Sequence, residues 1–440
     1  MQSRIVREPL MHGKGTAESA AASLRAASAE QAALHPDQTA SGRPHLLYVS
    51  GEDHHFRIPF MLALRERGFR VTAAGTGDSR PFECAGIDFH RFEFDRFVNP
   101  LADLAAIKAL ARLLADIRPD IVQTCDTKPN YLVPLAGRRL RDLPIVRLIN
   151  GRGWVFSSRS PRARALRPIY RALYRLADRS TAANVFEIQD DLEFFGGRRR
   201  SSRDVVIPGW VDIDAFDCAL ACGPSPEQLR REFDLVGAEV VVTVTRMTRQ
   251  KGIPALLEAA AIVHAVRPGV RFLLVGPRES EGPLAVTQGE LDRHAPYVVA
   301  VGPRSDVAAV LRSADIFAFP TEYGEGVPRA LLEAALAERP IVTTSLAGCR
   351  DVVRDGWSGF LVPPRAPRVL AERILTMLQE RELARTMASR AATRVRQKFG
   401  LASIVARYAA LYTEISGYSR RGELPATGRY RLGPSAVGES

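Results

Sequence analysis

Two carboxylates and two cations stand out by their types and spacing. Glu325 and Glu333 lie eight residues apart in the segment GEGVPRALLE, and Arg246 and Lys251 lie in the segment TRMTRQKG. Carboxylates accept hydrogen bonds from hydroxyl groups, such as those of a sugar. Arginine and lysine neutralise phosphate, the first as a planar fork and the second as a point charge. Together these residue types suit a ligand that carries both groups, such as a sugar nucleotide.

Both segments follow short apolar stretches that the pattern predicts as strands, Val240–Val244 and Asp315–Phe319. The carboxyl ends of parallel strands form the usual ligand crevice of an open α/β sheet. After the second strand we expect a glycine-containing loop and then a helix from about Val327, with Pro328 in its first turn. Eight residues advance a helix by roughly 800°, so the two glutamates are not a stacked acid/base pair.

The rest of the chain alternates strands and helices, as in a parallel sheet. It opens with a strand at His45–Ser50, a helix at Ile58–Arg67 and a strand at Arg70–Ala74, and a second series begins at Val240. The loop after the first strand lacks GxGxxG, which counts against a dinucleotide oxidoreductase. We therefore predict an α/β fold with two Rossmann-like doubly wound domains that face each other across a cleft.

The composition sets the domain limits. The sequence predicts a disordered extension at 1–43, an N-terminal domain at 44–208 and a C-terminal domain at 209–400. A helix is predicted at 401–418, before a disordered tail at 419–440, and the family resemblance given below implies that this helix returns to the N-terminal domain.

The chain has 440 residues, and 46% of them are hydrophobic, as in ordinary soluble proteins. No apolar run is long enough to span a bilayer, and no signal peptide is recognisable, so a cytoplasmic location is expected. The five cysteines are scattered, which predicts reduced thiols and no zinc site.

The net charge is +12, mostly from arginine. Such a charge suits nucleic acid, an anionic membrane surface or phosphorylated small molecules. It also fits general use of arginine at the surface. No base-reading module is recognisable, so no nucleic-acid partner is predicted.

One predicted helix, from about Ala163 to Ala177, concentrates this charge. Arg164, Arg167, Arg171 and Arg175 fall at helical spacing on one side of it. Two interpretations stay open: a helix that lies on an anionic membrane, and a solvated arginine face over a buried apolar one.

These segments resemble a known family. Residues 325–333 resemble the E-x7-E motif of the retaining GT-B glycosyltransferases of family 4, and Arg246 with Lys251-Gly252 resembles their diphosphate-binding pair. Further similar segments lie between roughly residues 44 and 416: Asn99–Asp103, Arg118–Val122, Lys128-Pro129, Asn150–Phe156 and Ala347–Val353. Together they are similar to the branch that builds capsular polysaccharides, exopolysaccharides and lipid-linked oligosaccharides.

The resemblance implies a retaining, metal-independent hexosyltransferase that needs no cofactor. It would transfer a hexose or N-acetylhexosamine from a nucleotide sugar, expected to be a UDP-sugar, to a lipid-linked glycan in surface polysaccharide biosynthesis. The enzyme would lie peripherally on the cytoplasmic face of an anionic membrane. Three alternatives stay open: a soluble small-molecule acceptor, a catalytically silent sugar-nucleotide sensor, and a basic nucleic-acid-binding protein.

The resemblance also implies roles for residues on the donor side. Glu333 would bind the ribose hydroxyls, and Glu325 the transferred sugar. Arg246 and Lys251 would stabilise the charge that grows on the leaving diphosphate. The donor-binding backbone would come from Gly326, Val327 and Pro328, although Pro328 has no N–H, and Gly51 would permit close approach of the donor in the first domain.

On the acceptor side the resemblance points to Asn150, Lys128 and Arg57. Many relatives have histidine at the position of Asn150, which can form hydrogen bonds but is no base at neutral pH. Lys128 and Arg57 are expected to face the cleft and bind an acceptor phosphate, with a merely solvated lysine as the alternative. Relatives also often have Gln-Asn where this chain has Glu187-Ile188.

Overall fold

The computed structural model describes residues 43–421, except 52–53, 95–98, 141, 158–159, 197–202, 279–281 and 283. The predicted disorder at 1–43 and 419–440 lies outside these residues, apart from the inner end of each segment.

Two parallel sheets organise the described residues. The first has seven strands in the order β3-β2-β1-β4-β5-β6-β7, and the second has six in the order β10-β9-β8-β11-β12-β13. We call the part built on the first sheet the N-lobe and the part built on the second the C-lobe. In both sheets the order runs outward in one direction and then reverses, so the predicted doubly wound α/β fold is confirmed.

The strands of the N-lobe are β1 His45–Val49, β2 Arg70–Gly75, β3 Asp88–Arg91, β4 Ile121–Thr124, β5 Ile145–Ile149, β6 Ala183–Phe186 and β7 Arg203–Val206. Those of the C-lobe are β8 Glu239–Val244, β9 Val270–Val275, β10 Val298–Ala300, β11 Ile316–Phe319, β12 Ile341–Thr344 and β13 Phe360–Val362.

The helices of the first half are α1 Ile58–Glu66, α2 Arg80–Cys84, α3 Pro100–Ile117, α4 Pro129–Ala136, α5 Gly153–Ser157, α6 Pro161–Asp178 and α7 Gln189–Phe195. Those of the second half are α8 Ile213–Cys222, α9 Pro226–Glu232, α10 Ile253–Val266, α11 Gln288–Asp292, α12 Val307–Ser313, α13 Arg329–Leu336, α14 Ala347–Val352, α15 Pro367–Gln379, α16 Arg381–Lys398 and α17 Leu401–Arg421.

The strands are nearly continuous apolar runs because helices cover both faces of each sheet. In β1, Leu46 and Tyr48 belong to one buried cluster, and Leu47 and Val49 belong to the cluster on the opposite face. This alternation follows from the two-residue repeat of a strand. Every loop at the carboxyl end of such a sheet is therefore held on a rigid base.

The last helix, α17, packs on the N-lobe. Tyr408 meets Phe60 of α1 edge to face, and the Tyr412 hydroxyl donates to Oε1 of Gln123 in β4 at 2.8 Å. The helix runs to Arg421, three residues beyond its predicted end at 418, so the tail predicted from 419 is wrong at that point. Neither glycine nor proline occurs between Ser419 and Arg421 to stop the helix.

The chain passes from one lobe to the other at two places that lie side by side. Val211 N–H donates to the Phe399 carbonyl at 2.9 Å, and Leu401 N–H donates to the Val211 carbonyl at 3.0 Å. Val211 and Gly400 thereby form a parallel β-bridge between the two connections.

Within the described residues, none of the helices combines the length and the apolar character that crossing a bilayer requires.

Candidate functional site

The predicted cation and carboxylate segments follow β8 and β11, which are neighbours at the middle of the C-lobe sheet. The strand order reverses between them, and such a switch point leaves a crevice at the carboxyl ends of the strands. Lys251 ends a short 3-10 turn, Arg249–Lys251, after β8. Glu325 lies in the loop after β11, residues 321–328, which we call the β11 loop. The fold therefore brings the two segments together.

Lys251 and Glu325 form an ion pair in this crevice. Lys251 Nζ lies 2.7 Å from Glu325 Oε2, and the side chains are only 10% and 19% exposed. The Thr321 hydroxyl donates to the other carboxylate oxygen, Oε1, at 2.8 Å. Thr321 is itself fully buried, and its carbonyl accepts from the Thr344 hydroxyl at 2.8 Å. The two oxygens of Glu325 are thus held by groups that follow β8 and β11, and Thr344 of β12 in turn holds Thr321.

The helix after the β11 loop begins later than predicted. α13 starts at Arg329, and Pro328 is its N-cap residue in an extended conformation, with φ −69° and ψ 116°. Proline also disfavours the helical region for the residue before it, here Val327. The helix therefore starts two residues after the predicted position of about Val327, and the Val327 N–H belongs to the loop.

That N–H has a partner from the other lobe. Val327 N–H donates to Glu187 Oε2 at 3.0 Å, and Glu187 lies just after β6 of the N-lobe. Burial raises the pKa of the Glu187 carboxyl above its usual value, while Arg57 and this hydrogen bond oppose the rise. A Cβ on Gly326 would lie 2.1 Å from the same oxygen, so a side chain there would push the Glu187 carboxylate away from the loop.

The loop after β5 forms the second contact between the lobes. Asn150 is exposed at the strand end, and its carbonyl accepts from Gly326 N–H at 3.4 Å. Gly151 and Glu325 form an antiparallel bridge, in which Gly151 has φ +124°. The structure therefore places the predicted acceptor-side Asn150 directly against the predicted donor residues.

The remaining donor-side residues lie at the rim of the crevice. Arg246 is exposed in the turn after β8. Glu333 is half-buried in α13, and Arg329 Nε donates to its Oε1 at 2.8 Å. A carboxylate offers about four lone-pair directions, so this bond leaves Glu333 capacity to accept from further hydroxyls.

Two more of the predicted residues, Gly51 and Arg57, lie in the N-lobe. Gly51 N–H donates to Asp126 Oδ2 at 2.9 Å, so it is tied to the loop after β4. Arg57 is half-buried, and its Nη2 lies 3.6 Å from the Cys125 sulfur. It lines a small interior void together with Glu187.

Lys128 does not face the cleft as predicted. It is 4% exposed, and its Nζ forms an ion pair with Asp103 Oδ1 at 2.5 Å, which joins α4 to α3. An ammonium that is buried and paired inside the lobe is poorly placed to meet an acceptor phosphate.

Three residues that the sequence did not single out for the site contribute to it. Thr321 orients Glu325, Glu187 holds Val327, and Gly348 of α14 lies so close to the β11 loop that a Cβ would fall 1.7 Å from the Gly326 carbonyl oxygen. Glu187 was noticeable only as a departure from Gln in relatives. Gly348 lies in the segment Ala347–Val353, which resembles the family, whereas no local spacing marks Thr321.

The arginine-rich helix α6 packs one side against the N-lobe and exposes the other. Tyr170 meets Tyr131 edge to face, and Tyr174 stacks on Phe195, so these aromatic residues pack inward. Arg167 donates to the Val155 and Phe156 carbonyls at 3.0 and 3.2 Å and is a structural residue. The outward side exposes Arg162, Arg164, Arg171 and Arg175, and also Ile169, which is 55% exposed.

Each lobe matches a model of a glycosyltransferase family. Residues 238–380 match glycosyl transferases group 1, and residues 60–215 match glycosyltransferase family 4. The first match contains Arg246, Lys251, Glu325 and Glu333, and the second covers most of the N-lobe. The chain is a family 4 glycosyltransferase.

One relative is N,N'-diacetylbacillosaminyl-diphospho-undecaprenol alpha-1,3-N-acetylgalactosaminyltransferase of Campylobacter jejuni. This glycosyltransferase is 24% identical to it over 375 residues, and the match covers 84% of the chain and 98% of that protein. It is 25% identical over 279 residues to UDP-Gal:alpha-D-GlcNAc-diphosphoundecaprenol alpha-1,3-galactosyltransferase of Escherichia coli, over 61% of the chain and 68% of that protein.

Among solved structures, the glycosyltransferase resembles Anabaena HepE in complex with UDP-glucose. The TM-score is 0.68 at 20% identity, over 84% of this chain and 99% of that one. The similarity spans both lobes, which confirms the predicted GT-B architecture.

Chemically, the crevice of the glycosyltransferase combines an ammonium, an oriented carboxylate and loop backbone that both lobes hold in place. Among the described residues, no cluster of three or more His, Cys, Asp or Glu side chains is arranged to hold a metal ion.

Proposed function

We propose that this enzyme transfers a hexose or N-acetylhexosamine from a nucleotide sugar, with UDP as the nucleotide, to a lipid-linked glycan in surface polysaccharide biosynthesis. The observation that carries the proposal is the Lys251–Glu325 ion pair, 2.7 Å long, at the switch point of the C-lobe sheet. Two relatives support the acceptor class, because their names specify undecaprenol-diphosphate sugars. One of those names also specifies a UDP-sugar donor.

Lys251 and Arg246 lie at the carboxyl end of β8, and we assign them to the diphosphate of the donor. As the bond between the sugar C1 and the phosphate oxygen breaks, negative charge grows on the departing nucleoside diphosphate. A preorganised cation in a poorly hydrated crevice stabilises that charge without reorganising at the moment of reaction. We assign this task to the two side chains and none of it to a metal or another cofactor.

Glu325 and Glu333 are assigned to the two polyol parts of the donor. Thr321 and Lys251 fix both oxygens of Glu325, so a sugar hydroxyl would meet a carboxylate whose orientation is already set. Glu333, one helical turn beyond Arg329, would accept from the ribose hydroxyls. The diphosphate would then lie between the two glutamates.

The reaction is proposed to retain the anomeric configuration. The acceptor hydroxyl would attack C1 from the side that the diphosphate leaves, and a donor phosphate oxygen would take the proton of that hydroxyl. The new glycosidic bond forms as the C1–phosphate bond breaks, and the nucleoside diphosphate leaves protonated. Glu325 would act by holding the sugar and stabilising positive charge at C1.

The enzyme is proposed to work at an anionic membrane, on its cytoplasmic face, through α6. The outward side of this helix carries four exposed arginines and Ile169, and residues 161–177 contain no acid. A basic helix with an exposed apolar side chain suits binding to an anionic interface.

The test of the chemistry is a transfer and hydrolysis screen with UDP-, GDP- and dTDP-sugars. Wild-type protein should turn over a UDP-sugar, and Glu325→Ala and Lys251→Ala should each lower turnover at least about 100-fold, the usual scale for loss of a preorganised electrostatic group. Arg293→Ala, an exposed arginine outside the crevice, is the control. Unchanged turnover in the two site variants would refute the site assignment.

The membrane part has its own test, co-sedimentation with anionic liposomes. Reversing Arg164 and Arg171 to glutamate should weaken sedimentation strongly, because each juxtamembrane cation contributes about 1 kcal/mol. Reversing Arg231 and Arg293 in the C-lobe changes the net charge equally and should have little effect. Turnover of a soluble acceptor without any liposome binding would instead support a soluble-acceptor enzyme.

A further inference from the structure

A second cavity, of about 490 Å³, opens beside the β11 loop. None of the residues assigned to the donor lines it. Its walls come from both lobes: Ser157 at the end of α5 belongs to the N-lobe, and the other lining residues belong to C-lobe loops. The volume lies in the range of small-ligand sites, about 300–1,000 Å³.

The cavity adjoins the reacting centre through the chain itself. Gln250, in its wall, directly precedes Lys251, and Tyr323 lies two residues before Glu325. Glu322 N–H donates to the Gln250 carbonyl at 2.9 Å and joins the two segments. A ligand here would therefore lie beside the chain segments that carry Lys251 and Glu325.

The lining mixes apolar surface with hydrogen-bonding groups. Tyr323, Leu346 and Pro364 supply the apolar surface. Arg365 Nε forms an ion pair with Glu322 Oε2 at 2.5 Å, so hydrogen-bond donors and acceptors lie side by side in the wall. The Ser157 hydroxyl oxygen is buried and has no hydrogen-bond partner among the described residues. A hydroxyl can both donate to and accept from a ligand, so Ser157 adds a hydrogen-bonding group to this wall.

The charges of the wall are balanced. Arg365 pairs with Glu322, and Arg249 pairs with Glu290 Oε1 at 2.7 Å. A phosphate would have to compete with a carboxylate for each of these guanidinium groups. A neutral ligand with many hydroxyls meets no such competition, and its C–H surfaces can rest on the apolar side chains.

We propose that this cavity binds a neutral pyranose of the acceptor glycan, next to the donor. This inference rests on the proposed glycosyl transfer and adds the position and the chemistry of the acceptor sugar. Because the wall includes Ser157 of the N-lobe, the subsite is complete only when the lobes are in contact, so the acceptor sugar and the closed arrangement stabilise each other.

The experiment uses the full chain and two probes, a neutral N-acetylglucosamine disaccharide and inorganic phosphate, titrated by calorimetry in the presence of UDP. Arg365→Ala should weaken disaccharide binding about tenfold, the loss of one hydrogen bond from a charged donor. Arg365→Trp should abolish it by filling the cavity. Arg368→Ala, an exposed arginine outside the wall, is the matched control and should bind as the wild type does. UDP affinity should be unchanged in all three variants.

The assignment would be overturned if Arg365→Trp bound the disaccharide as tightly as the wild type does. It would also be overturned if inorganic phosphate displaced the disaccharide. A wild-type protein that binds UDP but no disaccharide would also overturn it, while the proposed donor chemistry would stand. A wild-type protein that binds neither would contradict both.

Discussion

Replacing Gly348 with alanine tests whether the β11 loop needs the geometry described above. The new Cβ would lie 1.7 Å from the Gly326 carbonyl oxygen and 2.9 Å from that of Glu325. Contacts under 3.0 Å essentially never occur at a real Cβ, so α14 and the loop must separate by at least 1.3 Å. Both atoms belong to the backbone, and no flexible side chain can absorb the shift.

The stability cost should be about 1–3 kcal/mol, as for other overpacked sites. The activity cost should be at the upper end of the same range, because a misplacement of about 1 Å can reduce the rate about 100-fold, which corresponds to about 2.7 kcal/mol. We expect Gly348→Ala to unfold cooperatively at somewhat lower denaturant while its turnover falls about 100-fold. The measurements are a denaturant titration and the initial rate of sugar transfer at saturating donor.

The matched control is Gly417→Ala in α17, where an added Cβ meets nothing within 4 Å. Alanine in a helix should stabilise by about 0.5–1 kcal/mol relative to glycine and leave turnover unchanged. A Gly348→Ala enzyme that keeps turnover within about threefold of wild type, with normal donor affinity, would refute the reasoning that loop position controls the rate.

Three further predictions concern single contacts. Lys251→Met and Glu325→Gln should each lower the unfolding free energy by about 3 kcal/mol, because each change leaves a mostly buried charged partner without its counter-ion. The double variant should lose clearly less than the sum of the two. Denaturant titrations in which the two losses add up would argue against the ion pair. Burial raises the folded-state pKa of Glu187 above 4.5, so the stability this carboxyl contributes is fully present below that pH and is lost as the pH rises through the raised value. Glu187→Gln should therefore gain unfolding free energy relative to wild type as the pH rises from 4.5 towards neutrality, and a difference that stays constant with pH would contradict this. Tyr412→Phe should lower the unfolding free energy by about 1–3 kcal/mol, since it leaves the buried Gln123 oxygen without its donor; a thermal midpoint equal to wild type would show that the bond contributes nothing.

Much of the fold was predictable because it follows from local patterns. Apolar runs such as Ile316–Phe319 gave buried strands, and their alternation with helices required parallel sheets. The positions of Lys251 and Glu325 then followed from topology, since both come just after strands whose carboxyl ends share one edge.

The side-chain contacts that the sequence did not reveal have a different origin, because they depend on partners farther away along the chain. Lys128 was expected in the cleft, but Asp103, 25 residues earlier, holds it inside the N-lobe. Glu187 meets Val327 across 140 residues, and no spacing signals that contact. Arg167 shares the helical spacing of its neighbours and yet turns to the carbonyls of Val155 and Phe156.

The paired connections between the lobes have a mechanical consequence. A single covalent link would let the lobes twist, tilt and slide, whereas two strands joined through Val211 and Gly400 remove most of these freedoms. The motion that remains is a hinge rotation of one lobe relative to the other, about an axis near the two connections. We therefore expect substrate entry and product exit to be a one-dimensional swing, whose amplitude the Val211–Gly400 pairing limits.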